Sequence, residues 1–173
     1  GLISVPITSI VTTIYDLAFN DCSSLKSVTI PDLVTKIYDH TFRNCSSLTN
    51  ITIPNSVTTI GGYAFYGCTG LTSINIHNAI TSIGGNAFAD CTGLTTVNFN
   101  ATNCTTVGDW IFSGCYNINT INISENVKTL SYNTFRGCNG LTTVNYNATN
   151  CTGECYTFRS AYASLSTVNI GDN

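Results

Sequence analysis

Cysteine carries the most obvious chemistry in this chain, because nine cysteines stand among 173 residues. In a secreted protein, so many cysteines first suggest disulfide bonds. Six of them, however, recur at one position of a regular spacing. They are therefore predicted to form an inward column of buried thiols that behave as small apolar side chains. These six are Cys22, Cys45, Cys68, Cys91, Cys115 and Cys138.

The other three cysteines stand outside that column. Cys104 replaces a valine of the neighbouring repeats and is predicted to be a further core thiol. Cys151 and Cys155 lie in the one loop whose spacing breaks the pattern, and a local disulfide between them is a hypothesis. Zinc binding by this Cys-x-x-x-Cys pair is the weaker alternative, since no second ligand pair stands near it.

Asn-x-Ser/Thr sequons form the second reactive set, because they accept N-linked glycans in secreted proteins. Asparagine is abundant here, so chance alone produces several of them. The element NATNCT occurs twice and predicts surface loops. In a eukaryotic source, its first asparagines, Asn100 and Asn147, are expected to carry glycans first. The candidate glycosylation sites are Asn44, Asn50, Asn100, Asn103, Asn122, Asn147 and Asn150.

No set of residues in the sequence converges on catalysis, a metal or a cofactor. The two histidines, His40 and His77, stand at unrelated points of the pattern and are predicted to be surface residues. A net charge of −3 with six scattered basic residues leaves no basic stripe for nucleic acid. No apolar run approaches the ~20 residues that span a bilayer. The sequence thus predicts neither an enzyme nor a nucleic-acid or membrane-spanning protein.

A repeat positions all of these residues. Phenylalanine returns in steps of 23, 23, 23, 24, 23 and 23 residues, and in six of the seven copies a cysteine follows three residues later. The phenylalanines are Phe19, Phe42, Phe65, Phe88, Phe112, Phe135 and Phe158. A fixed period of this length is the signature of a stacked repeat architecture.

Each repeat contains three apolar segments, as in Leu48 to Cys68. The first has the pattern Leu-x-x-Ile-x-Ile and predicts a strand with one buried face. The second, around Val57 and Ile60, predicts a short strand on the opposite wall. The third, GGYAFYGC, predicts a helical turn that places Phe65 in the core. Because one repeat cannot bury both walls, we expect a single mostly β solenoid over residues 1–173, with about seven full rungs of 23–24 residues and a terminal strand.

The full pattern, best matched by Leu48, Ile51, Ile53, Pro54, Val57, Ile60, Gly61, Ala64, Phe65 and Cys68, resembles the BspA-like (treponemal-type) leucine-rich repeat family. The resemblance implies a right-handed leucine-rich-repeat solenoid without catalytic residues. It also implies a surface or secreted protein of host-associated microbes, often adhesive. This chain departs from the family pattern by keeping the proline after the strand only at Pro31 and Pro54.

Polar residues between the apolar strand positions are predicted to form outward columns of Thr and Asn. One interpretation is a ladder of amides that hydrogen-bond from rung to rung. The other is a binding face for a protein or a carbohydrate. The residues of this candidate face are Thr49, Asn50, Thr52, Asn75, Asn98, Asn122, Asn145 and Asn169.

The sequence therefore favours a non-enzymatic module, secreted or at the cell surface, that acts in adhesion or recognition. Neither end of the chain has a recognisable polar cap, and repeat arrays normally need one. This observation supports the alternative, a possibly N-glycosylated structural subunit whose copies bind end to end in an extracellular filament or fibril.

Overall fold

The computed structural model describes residues 1–148, 151, 158 and 164–171. These residues form eleven short strands and no helix, so the predicted mostly β solenoid is confirmed. The Leu-x-x-Ile-x-Ile segments supply β1 (Ser4–Val5), β2 (Ser27–Val28), β5 (Ser73–Ile76), β7 (Thr96–Phe99), β9 (Thr120–Ile123), β10 (Thr143–Tyr146) and β11 (Thr167–Ile170). We call the outward side of these segments the strand face.

The second apolar segments form a wall on the other side of the core. Its strands are β3 (Lys36–Ile37), β4 (Thr59–Ile60), β6 (Ser82–Ile83) and β8 (Thr106–Val107), in the order β3-β4-β6-β8. We call this sheet the opposite wall. All its pairs are parallel, and each residue pairs with the equivalent residue of the next repeat, as Ile37 does with Ile60. The period of the sequence is thus the period of the stack.

A column of phenylalanine rings runs through the core. Consecutive rings from Phe19 to Phe158 lie with centroids 5.0–5.4 Å apart and planes within 12° of parallel. The rings from Phe42 to Phe135 are fully buried. Each therefore contacts the equivalent ring above and below, which joins the rungs into one continuous core.

The predicted column of buried thiols is confirmed for five cysteines, while the sixth, Cys22, is half-buried. Each of the five buried thiols donates to a phenylalanine carbonyl one rung earlier, over distances of 3.0–3.4 Å, as Cys91 does to Phe65. Burial raises the pKa of the Cys45 and Cys138 thiols to about 12. Cys104 is also buried, as predicted.

The turn around Phe65 differs from the predicted helical turn. Some of its amides bond to carbonyls three residues back, as Cys68 does to Phe65 at 3.2 Å, and no α-helix forms. The amides between them donate to the next rung, as Phe65 does to Ala87 at 2.7 Å. The reason is the backbone at Tyr63 and Gly67, whose φ values of 54° and 67° bend the chain out of a helical path. Gly84 follows β6 of the opposite wall, where a Cβ would collide with the backbone of Gly62 one rung below.

Candidate functional site

The strand face is interrupted at the third repeat, whereas the opposite wall is continuous through it. On the strand face, β1 pairs only with β2, and a separate five-stranded sheet has the order β11-β10-β9-β7-β5. Between them lie residues 49–53, which form no strand. In the described part of the chain, the main-chain N–H and C=O groups of residues 49–53 have no hydrogen-bond partner. A polar gap thus crosses the sheet.

Pro54 removes one hydrogen bond from the gap. After β7, β9, β10 and β11, one N–H donates to the carbonyl of the rung below, as Asn100 does to Ile76 at 2.8 Å. Pro31 and Pro54 occupy this position in the second and third repeats, and proline has no N–H to donate. The carbonyl of Ile30 therefore lacks the donor that the repeat provides elsewhere.

A groove of about 590 Å³ opens where the pairing is lost. Residues 26–30 and 32 line one side and residues 49–55 the other. The groove reaches the edge of the core, because Val28, Ile51 and Ile53 remain 6–8% exposed. The equivalent Val97 and Phe99 in the paired sheet are 0% exposed.

Opposite charges stand at the two ends of the groove. Lys26 precedes β2 and Asp32 follows Pro31, and both are exposed. Neither has an ion-pair partner among the residues that the structure describes. Between these ends, the lining consists of Thr, Ser and Asn side chains over an apolar floor. The arrangement suits a ligand whose middle part is uncharged and forms hydrogen bonds and whose two ends carry opposite charges.

The predicted binding-face residues divide into two groups. Thr49, Asn50 and Thr52 line the groove, and Asn75 borders a neighbouring hollow of about 180 Å³. The other four form a rung-to-rung amide ladder, in which the Nδ2 of each of the upper three donates to the Oδ1 of the asparagine below at 2.6–2.7 Å. These are Asn98, Asn122, Asn145 and Asn169. The amides of the ladder bind one another, whereas Thr49, Asn50 and Thr52 face the gap.

The structure also divides the sequons. The Nδ2 atoms of four candidates donate to a neighbouring rung, as in the bond from Asn100 to the side chain of Asn75 at 2.7 Å; the four are Asn44, Asn100, Asn103 and Asn122. Asn50 and Asn147 are exposed, and no such bond holds their side chains among the described residues. Asn150 lies outside the described residues, as does Cys155 of the hypothetical disulfide with Cys151.

The prediction that both histidines lie on the surface is wrong for His77. This residue stands at the position of Pro54 one rung later and is 7% exposed. Its Nδ1 accepts from the Ala79 N–H at 3.3 Å, and its buried Nε2 has no partner among the described residues. Burial lowers the pKa of His77, and the nearby Pro54 backbone opposes this effect.

Sequence reasoning missed a partly exposed aromatic surface at the turns. We call Tyr15, Tyr38, His40, Tyr63 and Tyr66 the aromatic ledge. The His40 and Tyr63 rings stack at 5.1 Å, and the other contacts within the ledge span 5.7–6.1 Å. Aligning the turn positions of successive repeats would have found this surface, because its residues occupy three points of the period.

The aromatic ledge shares its backbone conformation with other turns. His40 and Tyr63 have φ values of 56° and 54°, which bulky side chains seldom adopt. The equivalent residues Leu17, Asn86 and Trp110 also have positive φ values. Two cations also lie over its rings, with the Lys36 Nζ 4.2 Å from the Tyr38 centroid and the Arg43 guanidinium 5.5 Å from that of Tyr66. Tyr and Arg are enriched in protein interfaces, so the ledge is a second surface suited to a protein partner.

The described residues contain no group of three or more His, Cys, Asp and Glu side chains that is placed to hold a metal ion. Nor do they include a helix long and apolar enough to cross a lipid bilayer. The stacked rungs, their phenylalanine column and their two β walls define a leucine-rich-repeat β-solenoid.

The sequence profile of the BspA type leucine rich repeat region matches residues 1–103 and 58–173, in six copies. The chain belongs to this family, and the resemblance seen in the sequence is confirmed. No curated protein sequence is significantly similar to the chain.

Among solved structures, a leucine-rich repeat protein of T. pallidum is 25% identical, with a TM-score of 0.70 over 90% of this chain and 71% of that protein. A leucine rich cell surface protein of Faecalibacterium prausnitzii is 23% identical, with a TM-score of 0.61 over 99% and 60%. The pneumococcal vaccine antigen PcpA is 19% identical, with a TM-score of 0.70 over 93% and 40%. The last two comparisons show a shared fold.

Proposed function

We propose that this chain is a non-enzymatic, secreted or cell-surface recognition module that binds a protein ligand on its strand face. The groove at residues 49–55 carries the proposal, because it is where the regular stack leaves main-chain polar groups and part of the core open to a partner. Similar solved structures include a cell surface protein and a vaccine antigen, which supports a surface location.

A protein ligand suits this groove better than a carbohydrate. No aromatic side chain lines the groove, although stacking on aromatic rings is available elsewhere on the molecule. The lining instead offers main-chain donors and acceptors, hydroxyl groups and a narrow apolar floor. Adhesion to a host or matrix protein is the specific role that we assign to this face.

The proposal is tested by binding of the purified chain to immobilised matrix proteins and to a glycan array. Thr29→Lys places a long charged side chain in the groove and is expected to abolish binding. The matched control is Thr35→Lys, an exposed threonine of the same repeat that follows Val34 toward the opposite wall. Equal binding by both variants, or silence across proteins and glycans, would contradict the proposal.

The second candidate is a structural subunit that stacks end to end. β11 leaves Val168 and Ile170 52% and 74% exposed, and this apolar edge favours contact with a further rung. The further rung belongs either to a continuation of the chain or to a second copy. Negative-stain microscopy distinguishes these roles, since filaments support the subunit and short separate arcs support the recognition module.

A further inference from the structure

We infer that the aromatic ledge is a second binding surface, which takes a proline-rich segment of a partner protein in the polyproline II conformation, with acidic residues next to its prolines. The ledge lies at the turns, and none of its five residues lines the groove of the strand face. The inference therefore goes beyond the proposed function, and each of the two is tested by its own variant.

The aromatic ledge crosses three rungs diagonally. Tyr15 stands in the first rung, Tyr38 and His40 in the second, and Tyr63 and Tyr66 in the third. In the fourth rung the corresponding positions hold Gly, Asn and Ala, so the ledge ends there. Rungs stack ~4.8 Å apart. A polyproline II segment of about nine residues covers roughly 28 Å at ~3.1 Å per residue, which is long enough to cross all three rungs.

The ledge offers hydrogen-bond donors to a partner. The hydroxyl groups of Tyr15, Tyr38 and Tyr63 form no hydrogen bond with other residues in the described part of the chain. Lys36 and Arg43 stand over rings of the ledge, and their ammonium and guanidinium groups donate but do not accept. A complementary partner is therefore rich in acceptors.

The acidic residues beside the ledge already accept N–H groups of the protein. Asp16 Oδ1 accepts from the Asp39 N–H at 3.2 Å, and Asp39 Oδ1 accepts from the Gly62 N–H at 2.8 Å. Asp21 Oδ1 accepts from the side-chain amide of Asn44 at 2.7 Å. These carboxylates join one turn to the next, so the groups left for a partner are mainly donors.

A proline-rich segment meets this requirement. Proline has a carbonyl acceptor and no N–H, so a run of prolines brings acceptors without donors that would oppose those of the ledge. A polyproline II helix has no internal hydrogen bonds, so its carbonyls are open to a partner. The helix is also preformed, and aromatic surfaces dock it with a small loss of entropy.

A carbohydrate fits the ledge less well. A sugar ring packs against an open aromatic face, but neighbours already cover faces of these rings. His40 and Tyr63 stack on one another with planes 10° apart, and the Lys36 Nζ lies 4.2 Å from the centroid of Tyr38. The edges and hydroxyl groups of the rings are thus better placed for a partner than their faces.

Two cations determine the charge of the segment. Lys36 has no ion-pair partner among the residues that the structure describes. Arg43 lies 3.9 Å from the carboxylate of Asp21, which is longer than a hydrogen bond. Acidic residues next to the prolines therefore face opposite charges on the ledge.

The test measures binding of the purified chain to a fluorescent synthetic peptide by anisotropy. The peptide has about nine prolines between a glutamate at each end, with blocked termini. We expect saturable binding. A peptide with alternating glycine and serine in place of the prolines should bind about tenfold more weakly, because its flexible chain must be ordered on binding. A peptide with lysine in place of both glutamates should bind about threefold more weakly, since it repels Lys36 and Arg43.

Protein variants locate the peptide on the ledge. Tyr63→Asn removes one ring and is expected to weaken binding about tenfold; asparagine suits this backbone, because Asn86 holds the equivalent position with a φ of 56°. Tyr15→Phe keeps the ring, removes a donor and is expected to weaken binding about threefold. The matched control is Tyr116→Asn, which should leave binding unchanged, since Tyr116 is exposed and lies outside the ledge. Thermal melting checks that the variants remain folded.

Several results would overturn the inference: no binding of the proline peptide, equal binding of the glycine–serine peptide, or unchanged binding by Tyr63→Asn. If Thr29→Lys, and not Tyr63→Asn, abolishes peptide binding, the segment lies in the groove and the ledge is not its site. If the proline peptide fails and Tyr63→Asn instead removes binding to a glycan array, the ledge is a carbohydrate site. These outcomes leave the proposed function intact, because that function is judged by binding of Thr29→Lys to matrix proteins.

Discussion

The N–H of Asn100 donates to the carbonyl oxygen of Ile76 at 2.8 Å, and this bond joins two successive rungs at the end of their strands. Pro54 occupies the position of Asn100 two repeats earlier and has no N–H to give to Ile30. The difference between these rungs is a missing donor, and the groove lies where it is missing. A local loss of pairing in a regular stack thus opens the groove that we propose as the recognition site.

Phe88 is expected to carry a large share of the packing free energy at the centre of the solenoid. Its ring lies 5.0 Å from that of Phe65 and 5.3 Å from that of Phe112. Phe88→Ala should lower the free energy of unfolding by about 3–5 kcal/mol, because it leaves a cavity in the ring column. Urea denaturation followed by circular dichroism measures this loss. The control is Tyr116→Ala, whose side chain is exposed; a loss no larger than that of the control would contradict the packing role.

Thiol labelling should follow the burial of the cysteine column. At pH 8, Cys138 is expected to resist alkylation in the folded protein, because burial keeps its thiol protonated, with a pKa of about 12. The half-buried Cys22 should react first. Peptide mass spectrometry after timed alkylation measures both rates. Equal rates in the folded state would count against the column, whereas equal rates in urea are expected.

The fold was predictable from the sequence because its information is periodic. The steps between phenylalanines place Phe65 and Phe88 one above the other. The cysteine three residues after each phenylalanine then takes the same position in every rung. The same regularity predicts the parallel register, in which Asn98 meets Asn122. The repeat in the sequence is sufficient to predict both features.

The groove and the buried histidine depend on contacts between rungs that no single repeat contains. In the sequence, Pro31 and Pro54 keep the family pattern, and the later repeats depart from it by lacking this proline. Their effect appears once the register places the Ile30 carbonyl below Pro54. His77 looks like a surface residue for a similar reason, because its burial depends on how it packs beside the Pro54 rung.

His77 should make the stability of the protein depend on pH. Burial lowers its pKa in the folded state below the usual 6.5, so the unfolded chain takes up a proton first as the pH falls. The stabilisation is fully present above pH 6.5 and is lost as the pH falls from about 6.5 through the lower folded pKa. His77→Asn is expected to reduce the change in melting temperature between pH 7 and pH 5.

His40→Asn is the matched control for this titration, because His40 is only half-buried. Its melting temperature should keep the pH dependence of the unmodified chain. Differential scanning calorimetry at several pH values measures all three proteins. If His77→Asn melts with an unchanged pH dependence, burial of this imidazole is not the cause.

We expect N-linked glycans on the asparagines whose side-chain amides form no hydrogen bond in the folded chain. After secretion from a eukaryotic cell line, Asn50→Gln and Asn147→Gln are each expected to remove one glycan from the intact mass. Asn122→Gln should remove none, because its Nδ2 donates to Asn98 at 2.7 Å and its Oδ1 accepts from Asn145 at 2.6 Å. A bare wild-type mass, or a glycan on Asn122, would show that the ladder does not govern attachment.

Amide hydrogen exchange in the folded protein tests the gap in the strand face most directly. The amides of residues 50–53 lack partners and are expected to exchange near the rate of an open chain. The equivalent amides of residues 96–99, in the paired sheet, should exchange at least about a hundredfold more slowly. Resolved NMR exchange rates for both segments supply the comparison. Similar protection of the two segments would mean that the third repeat is paired, and would contradict the groove as a binding site.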